Sequence, residues 1–162
     1  WGTGSGAIAL ALADEGRSLR VTALDRAPAA LERARANAAA TPAGAQVEWL
    51  LSDGFAAVAG RRFDLVAANP PYLSDADLAA APPELAFEPA GALAAGPTGL
   101  EAITALVAGA PAHLEPGGWL LVEVGEGQAV AARKALEAAG LRDVGARDDL
   151  AGVARVVGGR AP

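Results

Sequence analysis

Short continuous apolar runs alternate along the chain with longer stretches in which apolar positions recur every three or four residues. The runs at 19–25 (LRVTALD), 46–53 (QVEWLLSD), 63–69 (FDLVAAN) and 118–126 (GWLLVEVGE) have the length and β-branched content of buried strands. The stretches AIALALAD after Gly6, 27–40 with Pro28 in its first turn, 99–114 at least as far as Pro111, and 128–140 with Gly140 at its end read as helices. Strand and helix in alternation predict an α/β fold, a doubly wound and mostly parallel sheet. LRDVGARDD and GVARVVGGR read as a closing antiparallel hairpin. The stretch 70–98, with Pro and Gly throughout, reads as one long functional loop. A glycine-rich turn that opens a helix belongs after a strand, yet only Trp1 precedes Gly2, so the first, central strand is expected to be missing from residues 1–162.

Composition narrows the chemistry. With 162 residues, of which 52% are hydrophobic, the chain suits one domain with a buried sheet. There is no Cys, which removes disulfides, thiolate nucleophiles and Cys-ligated zinc, and a single His disfavours a His-rich metal site. No apolar run reaches membrane-spanning length. These features fit a cytoplasmic protein. The net charge of −6, with basic residues scattered among acids, disfavours direct nucleic-acid binding. Arg61-Arg62 is expected to cap a loop, His113 to lie at a helix end on the surface, and Trp49 and Trp119 to pack in the core.

Candidate chemistry gathers at strand ends. Gly2-Thr3-Gly4-Ser5-Gly6 allows a tight turn, close backbone approach and a helix N-terminus with free N–H groups. Such a turn serves the pyrophosphate of a dinucleotide or the amino-acid end of S-adenosylmethionine, and the GxGxxG/A pattern through Ala7 keeps an NAD-dependent oxidoreductase open. Asp25, at the end of the next strand, is placed to bind two ribose hydroxyls or to cap the following helix. Asp53 and Gly54 could meet an adenine edge or form an ordinary Asp-Gly turn. Asn69-Pro70-Pro71-Tyr72 follows the strand 63–69. The prolines stiffen the backbone and donate nothing to a ladder. The Asn69 side-chain oxygen and the Pro70 carbonyl then form a pair of acceptors for a planar –NH2 group, with Tyr72 as a flat wall. Such a corner suits methylation of an amide or of an exocyclic amine on a nucleobase in RNA or DNA.

Taken together, GTGSGAIALALA, ALDRAPAALERARANA, LSDGF, FDLVAANPPYL, LAFEPAGALAAGPTGL, GGWLLVEVGEGQ and RDDLAGVARVVGGR resemble, in order and spacing, the catalytic domain of the HemK/PrmC family. The resemblance implies a Rossmann-like class I methyltransferase. It would move a methyl group from S-adenosyl-L-methionine, leaving S-adenosyl-L-homocysteine, to the side-chain nitrogen of the glutamine in the Gly-Gly-Gln motif of peptide chain release factors. It implies Gly2, Thr3, Gly4, Ser5, Gly6, Asp25, Asp53, Gly54 and Asn69 as cofactor-binding residues. It implies Asn69, Pro70 and Tyr72 as catalytic, with Pro71 completing the substrate corner and Phe87, Glu88 and Pro89 in a loop over it. The family's N-terminal helical domain has no counterpart in these 162 residues.

Overall fold

The computed structural model describes residues 1–16 and 19–162. It divides into two compact units, residues 1–59 and 60–162, with strands in each.

In the first unit, α1 (Ala7–Glu15) is followed by β1 (Val21–Asp25), α2 (Pro28–Ala39) and β2 (Val47–Leu51). The two strands pair in parallel, from Val21 beside Val47 to Asp25 beside Leu51. Helix α1 buries Ala9 and Ala13, four residues apart and therefore on one face. Helix α2 starts with Pro28, whose missing N–H costs nothing in a first turn, and buries Leu31, Ala34 and Ala38. The core is made mostly of small side chains: Ala9, Ala13, Ala23, Ala43 and Val47, with Leu10, Val21 and Trp49 packed on it. Alanines let helix and strand approach closely, and Trp49 supplies the bulk they lack.

The second unit holds a four-stranded sheet in the order β3 (Phe63–Ala68), β6 (Leu114–Glu123), β8 (Ala154–Arg160), β7 (Arg142–Asp148). Strands β3 and β6 are parallel, and β8 runs antiparallel to both β6 and β7, as the closing hairpin predicts. Leu120, Val122 and Val157 are fully buried in it. Helix α6 (Ala129–Ala138) lays Leu136 over Gly159, where a Cβ would come within 3.2 Å of that leucine. Each fully buried leucine or valine here contributes about 1.5–3 kcal/mol. Lys134 and Glu137 face solvent. Among the described residues no helix is long and apolar enough to cross a membrane.

Several elements differ from their sequence reading. The strand expected over 118–126 begins at Leu114 and ends at Glu123. Its register with β3 jumps from Phe63–Leu114 to Leu65–Trp119, so the intervening residues bulge. The bulge needs Gly118, since a Cβ there would lie 2.9 Å from the carbonyl oxygens of Phe63 and Glu115. The helix expected over 99–114 is α5 (Glu101–Gly109) followed by a 3₁₀ turn, Ala110–His113, because Pro111 brings no N–H to continue an α-helix. Trp119 is not in the core: it is 38% exposed, on the face of β6 opposite the buried Leu120 and Val122. Arg62 does tie a loop, donating from Nη1 to the Leu114 carbonyl at 2.6 Å. Arg61 stacks over the Phe63 ring, 5.4 Å from its centroid. The His113 ring lies with Nδ1 3.0 Å from the Arg61 carbonyl oxygen.

The stretch 70–98 is also more ordered than a loop. It contains β4 (Leu73–Ser74), α3 (Asp75–Ala79), a 3₁₀ turn at Pro83–Phe87, α4 (Ala90–Leu93) and β5 (Ala94–Gly96). Strands β4 and β5 pair in parallel, Leu73 beside Ala94. Helix α3 starts with a capping box: the Asp77 N–H donates to Ser74 Oγ at 3.1 Å, and the Ser74 N–H donates to Asp77 Oδ2 at 3.2 Å. The Ser74 hydroxyl donates to the same oxygen, and these bonds hold the Asp77 carboxyl below its ordinary value.

At the β7–β8 hairpin tip, Asp149 Oδ1 accepts the N–H groups of Ala151 and Val153 at 2.9 and 3.0 Å. Its Oδ2 accepts from Arg155 Nε at 3.2 Å. The Val153 bond first, with the Ala151 bond and Arg155, holds the Asp149 carboxyl below the ordinary 3.8. The folded value is the lower one. Its contribution is therefore complete above the unfolded value and is lost as pH falls through the folded one. In an NMR titration, Asp149 should titrate below the ordinary aspartate value of 3.8. The Ala151 and Val153 amide shifts should follow the same curve, and Asp149→Asn should abolish that common transition.

Candidate functional site

In the first unit, Gly2, Gly4 and Gly6 hold φ of +64, +54 and +84°, which side chains with a Cβ adopt at a cost. The turn closes where the Gly6 N–H donates to the Thr3 carbonyl at 2.8 Å, and α1 starts where the Leu10 N–H donates to the Gly6 carbonyl at 2.9 Å. Asn37, on α2, donates from Nδ2 to the Ser5 carbonyl at 2.9 Å. The three glycines serve different needs. A Cβ on Gly2 or Gly4 would meet nothing within 4 Å, so their backbone borders open space. A Cβ on Gly6 would lie 2.8 Å from the Trp49 ring and 3.2 Å from the Ala34 methyl. Gly6 is therefore fixed by volume as well as by backbone sign.

Asp25 joins this turn to the strand end. Its buried carboxylate accepts the Gly4 N–H on Oδ2 at 2.8 Å and the Ala27 N–H on Oδ1 at 2.9 Å. The residue capping α2 is Ala27, with no side-chain cap. The capping alternative for Asp25 thus takes a different form, in which the carboxylate fixes the backbone entering the helix. Each carboxylate oxygen offers two acceptor sites. Among the described residues these backbone N–H groups fill one on each, which leaves one on each for a further donor. The capping and ligand roles are compatible.

Asp53 and Gly54 follow β2, beside the end of β1. The Asp25 carbonyl accepts the Ser52 N–H at 2.8 Å, extending the ladder by one residue. Buried Ser52 then turns the chain: its hydroxyl donates to the Gly54 carbonyl at 2.9 Å and accepts the Ala57 N–H at 3.0 Å. Gly54 has φ of +57°, and the Asp53 side chain is left exposed. The sequence reading passed over Ser52, although a buried hydroxyl before Asp-Gly is what shapes that turn.

In the second unit, Asn69 follows β3 directly, and Pro70 is fully buried. The Asn69 side chain is exposed, Pro71 and Tyr72 are half-buried, and the chain passes straight into β4. The Tyr72 carbonyl accepts from Gln128 Nε2 at 2.8 Å. Phe87 and Glu88 stand where the 3₁₀ turn gives way to extended chain, with Pro89 after them. Phe87 is 90% exposed. The stretch carrying it returns beside the corner through the β4–β5 pairing. Beyond β5, Glu101 Oε1 accepts both the N–H and the hydroxyl of Thr98 at 2.9 Å. Burial pushes the Glu101 carboxyl up, but these bonds outweigh it and hold the group below 4.5. Sequence reading did not single out Gln128 or Gly99. The signal was available, for GEGQ follows an apolar strand as NPPY does.

Two glycine substitutions should separate the constraints in the first unit. Gly4→Ala carries only the backbone cost, about 1–2 kcal/mol. Gly6→Ala adds displacement of Trp49, about 1–3 kcal/mol more. Urea unfolding of the two variants should rank them in that order.

The family model described as methyltransferase small domain matches residues 1–96. The chain is 48% identical over 166 residues to the release factor glutamine methyltransferase of Burkholderia pseudomallei, covering 99% of this chain. It is 46% identical over 162 residues to that of Cereibacter sphaeroides, again covering 99% of this chain. The chain spans 58% of the length of each of these relatives. Among solved structures, a methyltransferase from Pyrococcus furiosus superposes with a TM-score of 0.70 at 18% identity, over 98% of this chain and 71% of the other. The apo S-adenosylmethionine-dependent methyltransferase SibL superposes with a TM-score of 0.68 at 23% identity, over 99% of this chain and 49% of the other. These neighbours establish the Rossmann-like class I methyltransferase fold. The glycine turn, the acid at the end of β1 and the Asn-Pro-Pro-Tyr corner all fall within the matched residues: the chain belongs to the methyltransferase small domain family.

Proposed function

We propose that this chain is the catalytic part of an enzyme that methylates the side-chain nitrogen of the Gly-Gly-Gln glutamine in peptide chain release factors. The observation that carries the reading is the corner at Asn69–Tyr72. It combines an exposed carboxamide, a buried proline and a braced tyrosine backbone, in a chain 48% identical to a release factor glutamine methyltransferase. The reaction belongs in the cytoplasm, where translation ends.

S-adenosyl-L-methionine, when bound, supplies a methyl group made electrophilic by a positively charged sulfur. The first unit fits such a group: Gly2 and Gly4 present bare backbone to open space, and Asp25 retains one acceptor site on each oxygen for ribose hydroxyls. The Gly2–Gly6 turn, with Thr3 and Ser5, would hold the amino-acid end, and Asp53 and Gly54 the adenine edge. In our reading Asp25 and Asp53 stand at the carboxyl ends of strands in the first unit, and Asn69 at the carboxyl end of β3 in the second, where ligands of such sheets bind. The Asp25 carbonyl faces β2, so the Leu24 carbonyl faces the other edge of β1, where it accepts the Thr3 N–H at 2.8 Å.

Asn69 and Pro70 then do the orienting work. The Asn69 side-chain oxygen and the Pro70 carbonyl accept the two N–H groups of the substrate carboxamide and fix the direction of its nitrogen. Tyr72 bounds one face of that group, and Phe87, Glu88 and Pro89 fold over it to exclude water. Acceptance of both hydrogens favours pyramidal nitrogen, which frees its lone pair. The nitrogen sheds its proton to solvent after the new bond has begun to form, so no strong base is required beforehand. Orientation of this kind accounts for several kcal/mol of a barrier.

The test is mass spectrometry of a release factor incubated with the full-length enzyme and S-adenosylmethionine. One methyl group on the Gly-Gly-Gln glutamine is expected, and stripped RNA should stay unmodified. Methylation of the RNA instead would assign the corner to a nucleobase amine. Asn69→Ala should lower kcat by about 10²-fold or more. Asp25→Ala should weaken S-adenosylhomocysteine binding by about 10- to 100-fold, the loss of charge-assisted hydrogen bonds. Calorimetry measures the second effect independently of turnover.

A further inference from the structure

Three loops of the second unit meet on one side chain. Gln128 stands immediately before α6, and its carboxamide uses both N–H groups and its oxygen. Nε2 donates one hydrogen to the Tyr72 carbonyl at 2.8 Å and the other to the Gly99 carbonyl at 3.1 Å. Oε1 accepts the Gly125 N–H at 2.9 Å. Two carbonyl partners require the nitrogen on one side and the N–H partner requires the oxygen on the other, so the orientation of the amide follows from its neighbours. The surroundings are packed to bare-backbone distance. A Cβ on Gly99 would lie 2.6 Å from the Tyr72 oxygen and 2.9 Å from Gln128 Nε2. One on Gly125 would lie 3.0 Å from Gln128 Oε1 and 3.0 Å from the Tyr72 ring.

We propose that Gln128 is a positioning residue, which sets the Asn69–Tyr72 corner through the Tyr72 carbonyl; the inference rests on the function proposed above. The physical reason lies in the prolines. Pro70 and Pro71 have no N–H, so this backbone can be tied by its carbonyls but not by its own donors. Tyr72 is the first residue after them, and the fixed φ of two prolines transmits its orientation back to Asn69. On the far side, β4 is held by β5 and by the Ser74–Asp77 capping box. Gln128 supplies the hold on the near side. Among side chains only a carboxamide meets the need, and asparagine carries it one methylene shorter. Glutamate has no donor when ionised, lysine and arginine have no acceptor, and neutral histidine has one of each.

The experiment compares wild type, Gln128→Glu and Gln128→Asn in the full-length enzyme. Methylation of a release factor is followed across pH, with S-adenosylhomocysteine affinity and thermal unfolding measured in parallel. Gln128→Glu turns an oxygen toward two carbonyls. At neutral pH its kcat should fall by about 10²-fold, while S-adenosylhomocysteine affinity stays within about twofold. Acidification should restore its rate relative to wild type, because a protonated glutamate regains one donor. Gln128→Asn withdraws the amide by one methylene without adding charge. It should show the same split at every pH, and it decides the matter if the glutamate variant does not fold. Wild-type kcat in either folded variant overturns the inference. So does a parallel loss of kcat and cofactor affinity, which marks a merely structural brace. A wild-type enzyme that binds S-adenosylhomocysteine but leaves the glutamine unmodified overturns the proposed function itself, and this inference with it.

Discussion

A parallel strand that ends at a binding rim leaves its last backbone groups without ladder partners, and burial makes an unpaired group expensive. The construction of this protein follows from how those ends are satisfied without being covered. In the first unit the answer is a carboxylate. Asp25 takes the N–H groups of Gly4 and Ala27, one on each oxygen, and so pairs the donors of a turn and of a helix entry at once. In the second unit the answer is a carboxamide. Gln128 offers two donors to carbonyls and one acceptor to an N–H.

The difference between the two groups matches what each region must hold. A carboxylate accepts only, and Asp25 uses one site on each oxygen to fix the glycine turn and the helix entry from a single side chain. The proline corner has the reverse problem. Its two central residues, Pro70 and Pro71, have no N–H by which to be fixed. A side chain that donates to a carbonyl just beyond the prolines answers that. Around both groups, glycines do more than turn the chain. Gly6 makes room for Trp49, and Gly99 and Gly125 make room for the amide of Gln128.

Much of this was legible in the pattern of residues. The alternation of apolar runs with helical periods placed β1, β2, β3, α2 and α6 within a few residues, and the closing hairpin was correctly antiparallel. The positive φ of Gly2, Gly4 and Gly6 follows from where such a turn must sit. What escaped the pattern depended on contacts distant in sequence. The bulge that starts β6 at Leu114 exists because Gly118 passes against the carbonyl of Phe63. The order within 70–98 comes from a capping box and a two-residue pairing, each too short for periodicity to reveal. Trp119 looked like core by composition, yet it lies on the face of β6 opposite the one that packs inward.

The amino-acid sequence by itself determined the local chemistry. It set where glycine permits a left-handed turn, where two prolines end a strand, and which acids stand at strand ends. Those are consequences of covalent geometry and of side-chain type, and they hold for any arrangement of the rest. Only the tertiary structure decided which groups meet. That Asp25 takes two backbone N–H groups, one on each oxygen, and that Gln128 reaches Tyr72 from 56 positions away in sequence, are facts of packing. A hydrogen bond requires two groups within about 3 Å, and residues far apart in a chain acquire that distance only when the chain has folded.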